Sequence, residues 1–75
     1  MNASLIARQI KEARLAAGLT QASLATAIGR SQMTINRYEN NGTRPDTRDL
    51  CLIAKACGIP VAFLVGGDGE GPNDA

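Results

Sequence analysis

Histidine and tryptophan are absent from this 75-residue chain, and its aromatic residues are one Tyr and one Phe. A core of this chain must therefore be aliphatic, built from Leu, Ile, Ala and Val. Catalytic groups are scarce as well, since there is no His, no paired acid in an apolar pocket and no glycine loop that follows a strand to cradle phosphate. We therefore expect no enzyme activity.

Cysteine is also sparse. Cys51 and Cys57 are six residues apart in a predicted helix and point in different directions, so a disulfide within that helix is excluded. With no His and no third Cys, a zinc site is not expected, and we predict no metal and no cofactor. Two reduced cysteines suit the cytoplasm, and we expect neither a signal peptide nor an apolar run long enough to span a bilayer.

The net charge is only +1, but its distribution along the chain is uneven. Residues 1–48 have seven basic and three acidic residues, for a net charge of +4, whereas residues 49–75 have a net charge of −3. This asymmetry favours one face suited to phosphate, although a mixed, solvated surface would also fit the charges.

Apolar residues make up 44% of the chain, which is typical of a globular protein rather than a disordered one. Residues 1–65 contain no alternating β-branched run, so the sequence predicts one all-α domain there. Residues 66–75 are glycine-rich and acidic and can bury nothing, so we expect a disordered tail.

The first predicted helix covers about residues 4–17 and ends at Gly18, a candidate left-handed cap. Its apolar positions recur at helical spacing, which predicts one buried stripe. The stripe consists of Ile6, Ile10, Ala13 and Ala17.

Residues 19–40 predict two short helices joined by a tight turn. Thr20 is a good N-cap for the second helix, Gly29 supplies the positive φ of the turn, and Ser31 caps the third helix. The inward residues of these helices are Leu24, Ala25, Ile28, Ile35 and Tyr38. This arrangement is typical of a helix-turn-helix, which places its second helix in the major groove of DNA.

A fourth helix is predicted to begin at Asp46 and to end at Gly58, and Asp49 gives it an acidic first turn that suits the helix dipole. Its buried stripe is Leu50, Ile53, Ala54 and Cys57. Pro60 can open a short fifth helix whose Leu64 points into the core.

With these five helices placed, the chain resembles the Cro/repressor-type, lambda-repressor-like helix-turn-helix family of bacterial and phage regulators over about residues 5–65. The resemblance rests on a set of residues in register: Gly18-Leu19-Thr20-Gln21, Leu24-Ala25, Gly29, Ile35, Glu39-Asn40, Pro45, Leu50 and Ile53-Ala54. It implies a compact five-helix domain that binds double-stranded DNA, acting as a sequence-specific transcriptional regulator and most simply as a repressor.

The resemblance also assigns roles to individual residues. The residues expected to contact bases are Gln32, Met33, Asn36 and Arg37, and those expected to contact phosphate are Gln21, Ser31, Asn40, Thr43 and Arg44. Gln32 suits the N6/N7 pair of adenine, Arg37 suits guanine O6/N7, and Met33 suits a thymine methyl. Asn36 could reach either a base or a phosphate. Arg14 and Glu39 are expected to form a structural salt bridge. The competing interpretation is an ordinary solvated helix face.

Three positions depart from the family pattern. Arg30 stands where an apolar residue is usual, which predicts a more exposed corner and a further candidate phosphate contact. Asn40-Asn41-Gly42 replaces the usual Asn-Gly, which changes the path of the loop. Cys57 stands where leucine is usual and is a smaller core residue.

The expected partner is a second copy, because one such domain reads only half of a palindromic operator. Val61 and Phe63 remain apolar after the core is filled and are the predicted dimer interface, although Phe63 could also fold over the edge of its own domain. The alternative function is an antitoxin or anti-regulator that acts mainly through a protein partner.

Overall fold

The computed structural model of this chain describes residues 3–40 and 43–65, with side chains from Leu5 onward. Every regular element in these ranges is a helix, which confirms the predicted all-α fold. The helices are α1 (Ala3–Ala16), α2 (Gln21–Ile28), α3 (Gln32–Asn40), α4 (Thr47–Cys57) and α5 (Val61–Val65). The tail predicted over residues 66–75 lies outside the described residues. No described helix has both the length and the apolar character needed to cross a membrane.

Helices α2 and α4 each begin with a side-chain cap. The hydroxyl of Thr20 accepts a hydrogen bond from the Ser23 N–H at 2.9 Å, and the carboxylate of Asp46 accepts one from the Asp49 N–H at 2.8 Å. Each bond satisfies a backbone donor that has no partner inside the helix. Asp46 is therefore the cap of α4, and the helix begins one residue later than predicted.

The turn between α2 and α3 depends on Gly29, whose φ of +73° is the left-handed conformation predicted for it. The Gly29 N–H donates to the carbonyl of Thr26 at 3.2 Å, and the Arg30 N–H donates to the carbonyl of Ala25 at 2.9 Å. These two bonds close the end of α2 and turn the chain sharply toward α3. The same conformation recurs at Gly18 and Gly58, where α1 and α4 end.

The core is aliphatic, as expected, with one tyrosine at its edge. The buried cluster contains Ile6, Ile10, Ala13, Leu24, Ala25, Ile28, Ile35, Tyr38, Leu50, Ile53, Ala54 and Leu64. The predicted stripe of α1 is wrong at one position, because Ala17 is exposed. The helix ends at Ala16 and Ala17 lies in the turn, while Ala7 is buried instead.

Helix α3 is supported on its inner side only. It packs against α1 and α2, and α2 packs in turn against α4. Ile35 and Tyr38 of α3 point into this core, so the opposite face of the helix remains exposed. The fold therefore presents one mostly polar helix face outward while the other face is buried in the core.

Candidate nucleic-acid interface

The exposed face of α3 contains the four residues predicted to contact bases. Gln32, Met33, Asn36 and Arg37 are all exposed, and Met33 has 62% of its surface accessible. An apolar side chain this open to water on an otherwise polar face is suited to contact an apolar group such as a thymine methyl. The helix brings these four side chains together because they lie within two turns of one another.

Two of these side chains contact each other. The Nη2 atom of Arg37 lies 3.6 Å from the sulfur of Met33, one helical turn away. The guanidinium is therefore held along the helix surface beside an apolar side chain. A guanidinium with several N–H donors suits the acceptors at the edge of a guanine, and an apolar side chain beside it suits the methyl group of a neighbouring thymine.

The N-terminus of α3 is closed by Ser31. Its hydroxyl accepts a hydrogen bond from the Thr34 N–H at 3.2 Å and lies 3.1 Å from the Thr34 hydroxyl. Ser31 is exposed, so its hydroxyl can serve the cap and still meet solvent or an anion. The first turn of the helix also points its free N–H groups in this direction, which favours a phosphate nearby.

Glu39, near the end of α3, is buried, with only 1% of its side chain accessible. The guanidinium of Arg14 donates to both carboxylate oxygens, from Nε at 2.7 Å and from Nη2 at 3.1 Å. Its Nη1 atom donates to the carbonyl of Leu19 at 2.9 Å. The pair foreseen from the sequence is therefore formed, and it joins α1, the loop before α2 and the end of α3.

This pairing affects the pKa of Arg14 in the expected direction. The hydrogen bond to Glu39 is the main cause of a raised pKa for the Arg14 guanidinium, partly opposed by burial. The Arg14 guanidinium therefore stays charged beside the buried Glu39 carboxylate.

Gln21, at the first position of α2, is tied to the same acid. Its amide Nε2 donates to the Glu39 carboxylate at 3.2 Å. A primary amide has a second N–H, so the bond to Glu39 leaves one donor free for a phosphate while fixing the side chain. The phosphate role of Gln21 was expected from the sequence, but this bond was not.

A second buried acid was not foreseen from the sequence. Asp49 of α4 was interpreted as a simple acidic start of the helix, but it is only 1% accessible. The Tyr38 hydroxyl donates to its Oδ2 at 2.6 Å, and the Arg30 guanidinium donates to both oxygens, from Nε at 3.0 Å and from Nη2 at 3.2 Å. The predicted exposed corner at Arg30 is therefore in part a structural ion pair.

The titration behaviour of these groups follows from their contacts. Burial, assisted by the hydrogen bond to Asp49, raises the pKa of Tyr38 to about 12. The hydrogen bond to Asp49 raises the pKa of Arg30 as well. The one sequence signal for this cluster was an arginine at a position where the family has an apolar residue.

The remaining residues expected to contact phosphate lie where α3 ends and the chain runs toward α4. Asn40, Thr43 and Arg44 are all exposed. They flank residues 41–42, so the loop contacts that depend on the Asn40-Asn41-Gly42 sequence fall partly outside the described residues.

The predicted dimer residues lie on a separate part of the surface. Val61 and Phe63 are 37% and 48% exposed on α5, which packs on α1 and α4. Leu64, next to them, is fully buried, as its predicted inward position requires. Over residues 3–40 and 43–65, no group of three or more His, Cys, Asp or Glu could hold a metal ion.

Comparison with known proteins identifies a matching family and several solved structures with a similar fold. The model of the helix-turn-helix family matches residues 10–64. The NMR structure of the DNA-binding domain of the P22 c2 repressor has 29% identity and a TM-score of 0.80, over 97% of this chain and 96% of that one. The crystal structure of the P22 c2 repressor in complex with a synthetic operator has 28% identity and a TM-score of 0.78, over 85% and 97% of the two chains.

The restriction-modification controller protein C.AhdI from Aeromonas hydrophila shares the same fold. It has 22% identity and a TM-score of 0.77, over 83% of this chain and 94% of that one. At that identity the likeness concerns the fold alone.

Proposed function

Since this chain belongs to the helix-turn-helix family, matched over residues 10–64, we propose that it is a sequence-specific DNA-binding transcriptional regulator, and specifically a repressor. One observation carries the proposal. Four side chains able to contact base edges stand together on the exposed face of α3, while its inner face is fixed in the core. The P22 c2 repressor, which has the same fold, was crystallised in complex with an operator.

The contacts divide into two kinds. Gln32, Met33, Asn36 and Arg37 read base edges, and therefore determine which sequence is bound. Phosphate is contacted by Gln21, Ser31, Asn40, Thr43 and Arg44, which set the orientation of the domain on the duplex. The bond from Gln21 to Glu39 supports this division, because it holds a phosphate-contacting amide at a fixed place relative to α3.

The unit that acts is a homodimer on a palindromic operator. A single α3 covers only a half-site, and two copies related by a two-fold axis would place their recognition helices one helical turn of DNA apart. The exposed apolar side chains of Val61 and Phe63 supply the contact between the copies.

Selection of duplexes from a random-sequence library, followed by binding measurements over a range of salt, tests this function. Gln32→Ala should cost about 1–3 kcal/mol on the selected duplex and relax the choice of base at one position. Arg44→Ala should weaken binding to all duplexes alike and reduce the log–log salt slope by roughly 0.9. A chain that enriches no sequence and binds duplex DNA without salt dependence would contradict the proposal.

An antitoxin or anti-regulator role is the second candidate, and one feature favours it. A groove of about 460 Å³ lies between α1, α5 and the turn before α5, with a mostly apolar lining. The lining residues are Glu12, Ala13, Ala16, Ala17, Cys57, Ile59 and Phe63. A partner protein recovered with the chain at fixed stoichiometry, and lost in the Ala16→Asp variant, would support this role over the first.

A further inference from the structure

Arg30 lies at a point where two DNA-facing segments approach each other. It directly precedes Ser31, the cap of α3, and its side chain reaches the first turn of α4 at Asp49. The segment from Thr43 to Arg44 leads into the same turn of α4. Arg30 therefore bridges the start of the helix proposed to read bases and the segment proposed to contact phosphate.

The two partners of this bridge differ in exposure. The side chain of Arg30 is 44% accessible, whereas that of Asp49 is only 1% accessible. Solvent and ligands can therefore reach the guanidinium but not the carboxylate.

The hydrogen bonds of Asp49 use only part of the guanidinium. Nε and Nη2 donate to the two oxygens of Asp49, which amounts to two of the five N–H donors of an arginine. Among the described residues, Nη1 has no hydrogen-bond partner. The Tyr38 hydroxyl donates to Asp49 from the other side and holds the carboxylate in place.

We propose that Arg30 is a phosphate-contacting residue whose guanidinium is oriented by the buried Asp49 and presents Nη1 to the DNA backbone. The proposal rests on the proposed function. A planar guanidinium can form paired bonds to a carboxylate along one edge and bond a phosphate along another, whereas an ammonium group lacks this fixed geometry. Asp49 and Tyr38 act as positioning residues that fix the direction of the fork before DNA arrives.

The test uses a double variant, Arg30→Val/Asp49→Asn, in which the net charge of the chain does not change. The introduced asparagine can still accept the hydrogen bond of Tyr38, and the introduced valine puts an apolar side chain in place of the cation. Replacing both partners together avoids leaving an unmatched buried charge. Lys55→Gln, an exposed charge removal at the other end of α4, is the control for general electrostatics.

Binding is measured to a mixed-sequence duplex and to the duplex obtained by selection, over a range of salt, with melting temperature measured alongside. The double variant is expected to bind both duplexes more weakly by a similar factor, on the order of tenfold. Its log–log salt slope should be less steep by up to about 0.9, while Lys55→Gln keeps the parent slope. A double variant with parental affinity and slope would overturn the proposal and leave Arg30 a purely structural residue.

A second variant covers the case in which the double variant folds poorly. Arg30→Lys keeps the charge and one bond to Asp49 but loses the fork, so affinity should fall on both duplexes while the melting temperature stays close to the parent. Parental affinity for Arg30→Lys would also overturn the proposal. Failure of the parent chain itself to bind either duplex contradicts the proposed function, and is thereby distinguished from failure of the inference.

Discussion

Glu39 is an acid inside the protein, and the groups around it neutralise its charge. Two bonds from Arg14 and one from Gln21 reach its carboxylate, at 2.7, 3.1 and 3.2 Å. Removing a hydrogen-bonded partner leaves a buried charge unmatched, which costs more than the pair contributes. The stability of α3 and the placement of Gln21 thus depend on the same acid.

Arg14→Ala is therefore expected to lower the free energy of unfolding by about 3–5 kcal/mol, because it removes the main counter-charge of buried Glu39. Urea denaturation measures the change. The matched control is Arg8→Ala, which removes an exposed arginine of the same helix and should stay within about 0.5 kcal/mol of the parent. Equal losses for the two variants would show that the Arg14–Glu39 pair does not stabilise the fold.

The ion pair of Glu39 could be predicted from the sequence, whereas that of Asp49 could not. Arg14 and Glu39 could be paired in advance because the family resemblance links those two positions. Asp49 could not, because acidic residues in the first turn of a helix are common for electrostatic reasons and most are exposed. Its burial depends on Arg30 and Tyr38, which lie 19 and 11 residues away, and only the tertiary fold brings them to it.

Among the helices, the turn between α2 and α3 determines how the exposed face of α3 is presented. Gly29→Ala is expected to destabilise the protein by about 1–2 kcal/mol, because φ at this residue is +73° and a side chain rarely adopts that conformation. A Cβ built there meets no heavy atom within 4 Å, so the cost is conformational rather than steric contact.

Gly29→Asn provides the control, since asparagine tolerates the left-handed region better than alanine. Its melting temperature should lie between those of the parent and the alanine variant. Identical melting temperatures for the two variants would mean that backbone conformation does not set the cost. Both melts are followed by circular dichroism.

The positions of the helices were largely predictable, because the spacing of apolar residues and the glycines at the helix ends indicate the same boundaries. The helix ends at Gly18, Gly29 and Gly58 were foreseen, and all three residues have positive φ. The errors are single residues at helix ends, such as the start of α4 and the exposure of Ala17. Those details depend on which residue makes the capping bond, and one-residue differences do not change the apolar pattern.

At the level of the whole molecule, the proposed homodimer depends on α5. Phe63→Ser should leave each chain folded, because the side chain is 48% exposed, while Leu64 beside it remains in the core. The expected result is a shift toward one chain in sedimentation, with loss of tight binding to the selected duplex and retention of weak binding to mixed-sequence DNA.

Leu15→Ser is the matched control, since Leu15 is a 57% exposed apolar residue on α1. It should leave both the sedimentation and the DNA binding of the parent unchanged. If Phe63→Ser still forms dimers and binds the selected duplex normally, the copies meet through a different surface.

The chain has one tyrosine and no tryptophan, so its ultraviolet emission arises from a single buried phenol. That phenol belongs to Tyr38 of α3, and its hydroxyl donates a hydrogen bond to Asp49 of α4 at 2.6 Å. A change in its fluorescence or near-ultraviolet circular dichroism therefore reports on this junction rather than on an average over many chromophores. Stopped-flow experiments can time the formation of the Tyr38–Asp49 contact without a label, and the signal will be sensitive to any duplex that moves Arg30.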